Sequence, residues 1–354
     1  MQPSRSRAGD PATTLVGPDQ RERWDRFVGD ACGGVLMQSW GWGELKRRHG
    51  WRVMRIAAAE PATGEPVGAL QVLHRPLGPG GFGWAYAPRG PALRSPADQA
   101  VAAALVARAG RELRRPRVMA LRLDPEWNKD DPAAAALRRA LGLRPARYDI
   151  QHRDTWLVDL AAGEEAVLAS LPASTRRNIR IAERSGVLVG RESTAAAVRE
   201  FYLLHLATVQ RQGFTTRPCS YYEAACDELQ AGVFTARHQG TPLASAIAVA
   251  FGPRLVYLYG GTSTAAPQVR APYALHWAVI KWGLARGCSV YDMWGVPRHF
   301  DPANPAHGYA TFKTRWGGAR ASHSGLLVAP LWPGLDPALS VAESLLLRRR
   351  PLLT

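Results

Sequence analysis

Lysine is what this chain largely goes without. Only four of its 45 basic residues are lysine: Lys46, Lys129, Lys281 and Lys313. Generic surface charge is left to arginine, so a retained lysine draws attention, because a compact ammonium on a flexible stem does what a guanidinium cannot. Cysteine is scarce too. Cys32, Cys219, Cys226 and Cys288 show no C-x-x-C spacing and no histidine partners at zinc-site distances, which argues against a structural zinc site and a disulfide framework. They read as small buried residues in a reducing compartment. No acidic cluster suggests a bound metal, and none is expected. No apolar run approaches the ~20 residues needed to span a bilayer. The N-terminus, Met1 to Pro11, is polar, carries two arginines and lacks an apolar signal core. The expectation is a cytoplasmic protein whose contact with a membrane, if any, is peripheral and made through basic surface.

What is present is a globular composition, 46% hydrophobic and 21% charged over 354 residues, a length that suits two domains of medium size. A net charge of +16 favours polyanionic partners: nucleic acid, an anionic membrane surface or a phosphorylated substrate. An arginine-rich proteome would raise the charge without any such partner.

Along the chain, residues 1–14 read as a disordered tail. Asp19–Asp30 is a short helix, and Ser39 caps a second helix that runs to His49. Trp51–Ala59 and Val67–Leu73 form a hairpin about Gly64. A Gly- and Pro-rich tract around Phe82, Trp84 and Tyr86 is a strand edged by loops. Ser95–Arg115 is an alanine-rich helix, Val118–Leu123 a strand, and Pro132–Leu141 a helix capped by Asp131. Asp154–Asp159 is the strand that leads into a second unit. There Glu164–Leu171 and Ala173–Ser185 are helices split by Pro172. The second carries Arg176, Arg180 and Arg184 at i, i+4 and i+8, which is either a phosphate-contacting stripe or a solvated face. Thr194–Gln212 and a helix through Gln230 follow, then strands at Gly232–His238, Leu243–Phe251 and Leu255–Tyr259. Tyr273, Trp277, Ile280 and Leu284 share a helix face, and Val290–Met293 is a strand.

The stretch Gly308-Tyr309-Ala310-Thr311-Phe312-Lys313-Thr314-Arg315-Trp316-Gly317-Gly318 closes this second unit. It reads as a helical turn that the double glycine ends sharply. Lys313 is then either a solvated lysine on an amphipathic turn or a charge held for a task.

The two halves repeat one plan of helices, antiparallel meander, helix and strand, so the fold class expected is α/β (α+β) with two tandem GNAT-like acyltransferase domains and mixed, mostly antiparallel sheets. The boundaries expected are 15–155 plus 325–354 for the first domain and 156–324 for the second. In coenzyme-A-dependent members of that fold a glycine-rich turn offers backbone N–H groups to the pyrophosphate. Here the corresponding stretch, Pro267 to Pro272, has no glycine and two prolines, which argues against a simple acetyltransferase.

Several stretches then converge on one family. They are Gln38-Ser39-Trp40 with Lys46 and Gly50-Trp51; Thr175-Arg176-Arg177-Asn178-Ile179-Arg180 with Ala182-Glu183-Arg184; and Gly213-Phe214 with Arg217 and Tyr221-Tyr222. Further on come Tyr257-Leu258-Tyr259-Gly260, Tyr291 to Gly295, and Phe312-Lys313 with Gly317-Gly318. In this order they resemble the Fem family of aminoacyl-tRNA-dependent transferases that build peptidoglycan cross-bridges. The span from Tyr259 to Tyr273 is too short for the helical arm some members carry, so the chain resembles the compact, arm-less ones. The resemblance implies transfer of an amino acid (Gly, Ala or Ser) from aminoacyl-tRNA, as co-substrate, to a peptide amine of a nucleotide-linked (UDP-linked) or lipid-linked precursor. No other cofactor is implied.

By the same resemblance Lys46, Trp40, Arg217, Tyr221 and Tyr259 bind the precursor, a lysine with an arginine suiting a diphosphate. Lys313 with Phe312 stands near the aminoacyl ester, and Asp292 is either the base for the attacking amine or a carboxylate that caps its loop. Arg176, Arg180 and Arg184 become candidates for the tRNA backbone. A monomer is expected. Two other classes stay open: a coenzyme-A-dependent N-acyltransferase of the same double fold acting on a polysaccharide or small amine, and a basic RNA- or membrane-binding module without activity.

Overall fold

The computed structural model describes residues 11–76, 83–95, 98–114, 118–213, 215–300 and 307–332. They divide into two units, one running through Gln151 and resuming at Ser322, the other His152–Ala321. Phe82, Phe214 and residues 1–10 of the expected tail lie outside the described residues.

The first unit begins earlier, and in a more ordered way, than the sequence suggests. The strand β1, Ala12–Leu15, takes in the last three residues of the expected tail and pairs antiparallel with Ile56–Ala59. Its two threonines suit an edge that is half solvated. Helices α1 (Arg21–Arg26) and α2 (Trp40–Arg48) follow, the latter capped by the Ser39 hydroxyl accepting from the Trp42 N–H. Then come β2 (Arg52–Ala59), β3 (Pro66–Pro76), β4 (Gly83–Ala87), β5 (Ala92–Leu93), α3 (Gln99–Arg114), β6 (Val118–Leu123), α4 (Pro132–Ala140) and β7 (Arg144–Pro145). A late strand, β15 (Leu327–Pro330), lies between β6 and β7.

The sheet order is β1-β2-β3-β4-β6-β15-β7 with β5 against β3, antiparallel except where β6 runs beside β4. The crossover helix α3 points Val101, Leu105, Ala109 and Leu113 at Ile56, Leu70, Val72 and Leu121. Gly68 lets α3 approach closely, since a Cβ there would stand 2.4 Å from Val101 Cγ1. Truncating Leu105 to alanine would cost about 2–5 kcal/mol.

The second unit contains β8 (Asp154–Asp159), α5 (Glu164–Ser170), α6 (Ala173–Arg184), β9 (Leu188–Glu192), α7 (Ala195–Gln212) and α8 (Cys219–Leu229). The meander β10 (Gly232–His238), β11 (Thr241–Phe251) and β12 (Arg254–Thr262) leads to α9 (Ala271–Leu284), β13 (Val290–Val296), α10 (His307–Thr314) and β14 (Ala319–Ser322). Its sheet runs β14-β8-β13-β12-β11-β10-β9. Strands β12 and β13 are parallel, and their pairing is confined to Arg254–Val256 against Val290–Asp292. Beyond those rungs the two part, with α9 as the crossover between them. Both units thus carry an antiparallel meander, a helix and a returning parallel strand, which is the plan read from the sequence.

Among the cysteines, Cys226 and Cys288 are buried, whereas Cys32 and Cys219 are only half-buried. Among the described residues, no helix is long and apolar enough to cross a membrane.

Candidate active site

Helix α10 is short, and aromatic packing orients it. Phe312 lies with its ring centroid 5.4 Å from Tyr273 and 5.1 Å from His276, both on α9, and 6.3 Å from the fully buried Trp316. The helix ends where Gly317 and Gly318 adopt φ of +70° and +77°. A Cβ on Gly318 would stand 2.0 Å from the Leu157 carbonyl oxygen, so only glycine lets the chain settle against β8.

With Phe312 anchored, Lys313 points inward. It is only 6% exposed, and its Nζ donates to the Gly295 carbonyl at 2.8 Å. The Tyr309 and Tyr257 rings lie 5.2 and 5.9 Å from Nζ and offer their faces to a cation. The alternative of a solvated lysine does not describe this residue. Burial pulls the amine down to about 7, against which the negative charge of Asp292 works. Beside it His276 shares a 2.8 Å hydrogen bond with the Tyr291 hydroxyl; burial first, and the Lys313 charge second, hold the imidazole neutral, down to about 3. Burial pushes the Tyr257 hydroxyl up to about 12. The site therefore holds an amine able to exist in both forms near neutral pH, walled by groups that stay uncharged.

Asp292 is 3% exposed and fully engaged. Its Oδ1 accepts the Trp294 N–H at 2.8 Å and the Thr155 hydroxyl, and its Oδ2 faces Arg254 at 3.5 Å. Of the two roles read from the sequence, these contacts are those of a carboxylate that closes the following turn.

Arg217, Tyr221 and Tyr259 come together in the second unit. The Arg217 guanidinium lies over the Tyr221 ring at 5.7 Å, and the Tyr221 and Tyr259 rings meet edge to face at 6.5 Å. Tyr259 is raised well above the usual phenol range by burial and then by the neighbouring Tyr221. Behind them His205 takes the Gly260 carbonyl on Nδ1 at 2.9 Å and the Tyr222 hydroxyl on Nε2 at 3.0 Å. The carbonyl can only accept, so Nδ1 carries the proton and Nε2 accepts from tyrosine. Thr216 completes the Tyr222 contacts at 2.8 Å.

Trp40 and Lys46 belong to the first unit. Trp40 is 4% exposed and its ring is covered by Arg55, whose guanidinium carbon lies 3.5 Å from the centroid. Arg55 is held there by Gln71, Glu44 and the Trp40 carbonyl at 2.8–3.0 Å. This tryptophan is a structural pillar. Lys46 is half-buried with Nζ 5.0 Å from the Trp42 ring centre.

The arginine stripe is rearranged. Arg176 turns back and donates to the carbonyls of Ala169 and Leu171 at the end of α5. Arg177, Arg180 and Arg184 are exposed, and their i, i+3, i+7 spacing makes them the solvent-facing row of α6. Thr175 bonds the Arg315 carbonyl, so this row starts beside the end of α10. Of the walls of the Lys313 site, Tyr257, Tyr291 and Tyr309 fall in stretches quoted from the sequence but received no role there, and His276 was not named at all. His276 sits in an apolar helix, where period alone marks it as core; its place three residues from Tyr273 was the available signal.

Residues 141–235 and 228–333 match the model of the FemAB family. The chain is 28% identical over 301 residues to the UDP-N-acetylmuramoylpentapeptide-lysine N(6)-alanyltransferase of Weissella viridescens, which covers 81% of this chain and 87% of that protein. It is 23% identical to the lipid II:glycine glycyltransferase of Staphylococcus saprophyticus, over 92% and 97% of the two chains. The fold is that of the crystal structure of FemX, with a TM-score of 0.83 at 20% identity over 93% of this chain and all of that one. A tandem GNAT protein from the clavulanic acid biosynthesis pathway shares it more distantly, at a TM-score of 0.54 and 14% identity over 92% and 99% of the chains.

Proposed function

Since the chain belongs to the FemAB family and is an aminoacyltransferase, we propose that it moves an amino acid (Gly, Ala or Ser) from aminoacyl-tRNA to a peptide side-chain amine of a UDP-linked or lipid-linked peptidoglycan precursor, forming the interpeptide bridge. The observation that carries the chemistry is the buried amine of Lys313 with its carbonyl anchor. The precursor amine attacks the ester carbonyl carbon, a C–N bond forms, and the carbonyl oxygen becomes an oxyanion. Collapse breaks the C–O bond to the ribose, whose oxygen leaves as a hydroxyl by taking up a proton as the amine loses one. Protonated Lys313 stabilises charge that exists mainly in the transition state, and Phe312 keeps it oriented. An aminoacyl ester is already activated, so orientation and one cation suffice.

Arg217, Tyr221 and Tyr259 in the second unit are proposed to bind the precursor, as is Lys46 in the first, while Trp40 supports the first unit from beneath Arg55. Arg180 and Arg184 join Arg177 as the proposed contact to the tRNA backbone, and Arg176 is released to its structural task. The protein is proposed to work as a cytoplasmic monomer, its basic surface resting on an anionic membrane when the acceptor is lipid-linked.

The test is a transfer assay with total tRNA charged with radiolabelled Gly, Ala or Ser and either precursor, with RNase pretreatment as control. RNase-sensitive label in one precursor is the expected result. Label arriving instead from acetyl-coenzyme A would overturn it.

A further inference from the structure

Strand β13 carries one more residue than β8 between two of its rungs. Asp292 pairs with Leu157 and Gly295 with Thr155, so three steps on one strand face two on the other. The extra residue makes a bulge at Met293–Trp294, where Trp294 takes φ of +67°, a conformation that costs a bulky residue on the order of 1–2 kcal/mol. Two contacts hold it. Asp292 Oδ1 accepts the Trp294 N–H, and Thr155, directly across the bulge, donates its hydroxyl to the same oxygen. Gly295 follows with no room for a side chain, since a Cβ there would stand 2.4 Å from the His152 ring. The carbonyl that emerges from the bulge is the one that takes the Lys313 amine.

We infer that Asp292 is a positioning residue for Lys313: by closing the Trp294 bulge it aims the Gly295 carbonyl and thereby fixes where the amine sits. Its own oxygens are spent on Trp294, Thr155 and Arg254, so it acts through the backbone and through its charge and takes no proton from substrate. The inference rests on the reading of Lys313 as the group that faces the ester.

The scarcity of lysine supplies the test. Protein labelled with 13C at the lysine ε-carbon gives four signals, and Lys313→Met identifies the one of interest. Its titration is followed in the parent, Asp292→Asn, Asp292→Ala and Thr155→Val. Among the described residues, the charged groups that face the amine are Asp292 on β13 and, behind it, its partner Arg254 on β12. The other titratable side chains around it are His276 on α9, Tyr257 on β12, Tyr291 on β13 and Tyr309 on α10, the histidine held low and the tyrosines high, so that none of these four changes charge near neutral pH.

Asp292→Asn keeps an acceptor for Trp294 and loses the charge: the Lys313 signal stays sharp and its midpoint falls by about half a pH unit or more. Asp292→Ala loses both: the signal moves or broadens, and kcat falls at least about tenfold with KM for both substrates within about twofold. Asp292→Asn should retain at least about threefold more kcat than Asp292→Ala. Thr155→Val, which keeps the charge, shifts the signal without lowering the midpoint, and decides the matter if Asp292→Ala does not fold. A Lys313 signal unmoved in Thr155→Val and Asp292→Ala would overturn the inference. So would Asp292→Asn being as inactive as Asp292→Ala, the behaviour of a reacting base. The spectra need no substrate, so a parent protein without transfer activity would remove the reading of Lys313 and leave the positioning result standing.

Discussion

Replacing Lys313 with methionine tests burial and catalysis in one protein. The two side chains are close in volume, so the swap empties little space. It removes an amine whose protonation burial has lowered from 10.5 to about 7. Between those values the unfolded chain binds more protons than the native one, so stability rises with pH across the window, and the penalty is fully present below about pH 7. Integrated from about pH 6 to about pH 9, the parent should gain on the order of 2–3 kcal/mol from this residue, and the variant none. The Gly295 carbonyl left without its donor costs about 1–3 kcal/mol, but equally at both pH values. The difference between parent and variant in urea unfolding at the two pH values therefore isolates the amine. Transfer should drop by about 10- to 1000-fold with KM for the acceptor little changed, the scale of losing one oxyanion donor. Parallel pH dependence of the two proteins would refute the buried amine, and undiminished transfer would refute its role.

Reversing charge at Arg177, Arg180 and Arg184 to glutamate should weaken tRNA binding and flatten its salt dependence, by about one log–log unit of slope for each phosphate no longer neutralised; filter binding over a salt series measures it. Arg176→Ala should leave that slope alone and lower stability by about 1 kcal/mol, because its partners are the carbonyls that end α5. Gly318→Ala should destabilise the second unit by more than about 2 kcal/mol, through both the clash with Leu157 and the positive φ, read as a lower thermal midpoint. Burial raises Asp124 in the first unit from 3.8 to about 6, so the native state holds the extra proton and stability falls as pH rises across that interval. Asp124→Asn should flatten this decline in thermal midpoints taken across it.

Elements marked by a local signal were legible. Ser39 and Asp131 each cap the helix that their side chains announce, and Asp154–Asp159 and Gly232–His238 are strands with the bounds expected of them. Strands β1, β9, β14 and β15 were not, being four or five residues long and fixed by partners remote in sequence. In the candidate site, the family's motifs named Lys313, Arg217, Tyr221 and Tyr259 and contained Tyr257 and Tyr291, with Tyr309 in the stretch that holds the lysine, but nothing in them said that these tyrosines and His276 would enclose it. Arg176 and Arg177 differ by a 100° turn of helix, and spacing alone could not say which long side chain would fold back onto α5. Trp40 illustrates the same limit: nothing local says that Arg55, fifteen residues on, will cover its ring.

Strand β15 has a consequence for how the chain is made. It takes an interior place in the first sheet, between β6 and β7, yet it is synthesised about 200 residues after β6. At ribosomal speeds that interval lasts on the order of 10–40 s. Throughout it the whole second unit emerges and is free to fold, while Ala120–Leu123 waits with one side of its backbone unpaired. The half that is born first is therefore completed last, and in the nascent protein its open edge is the place where pairing with a wrong strand would begin.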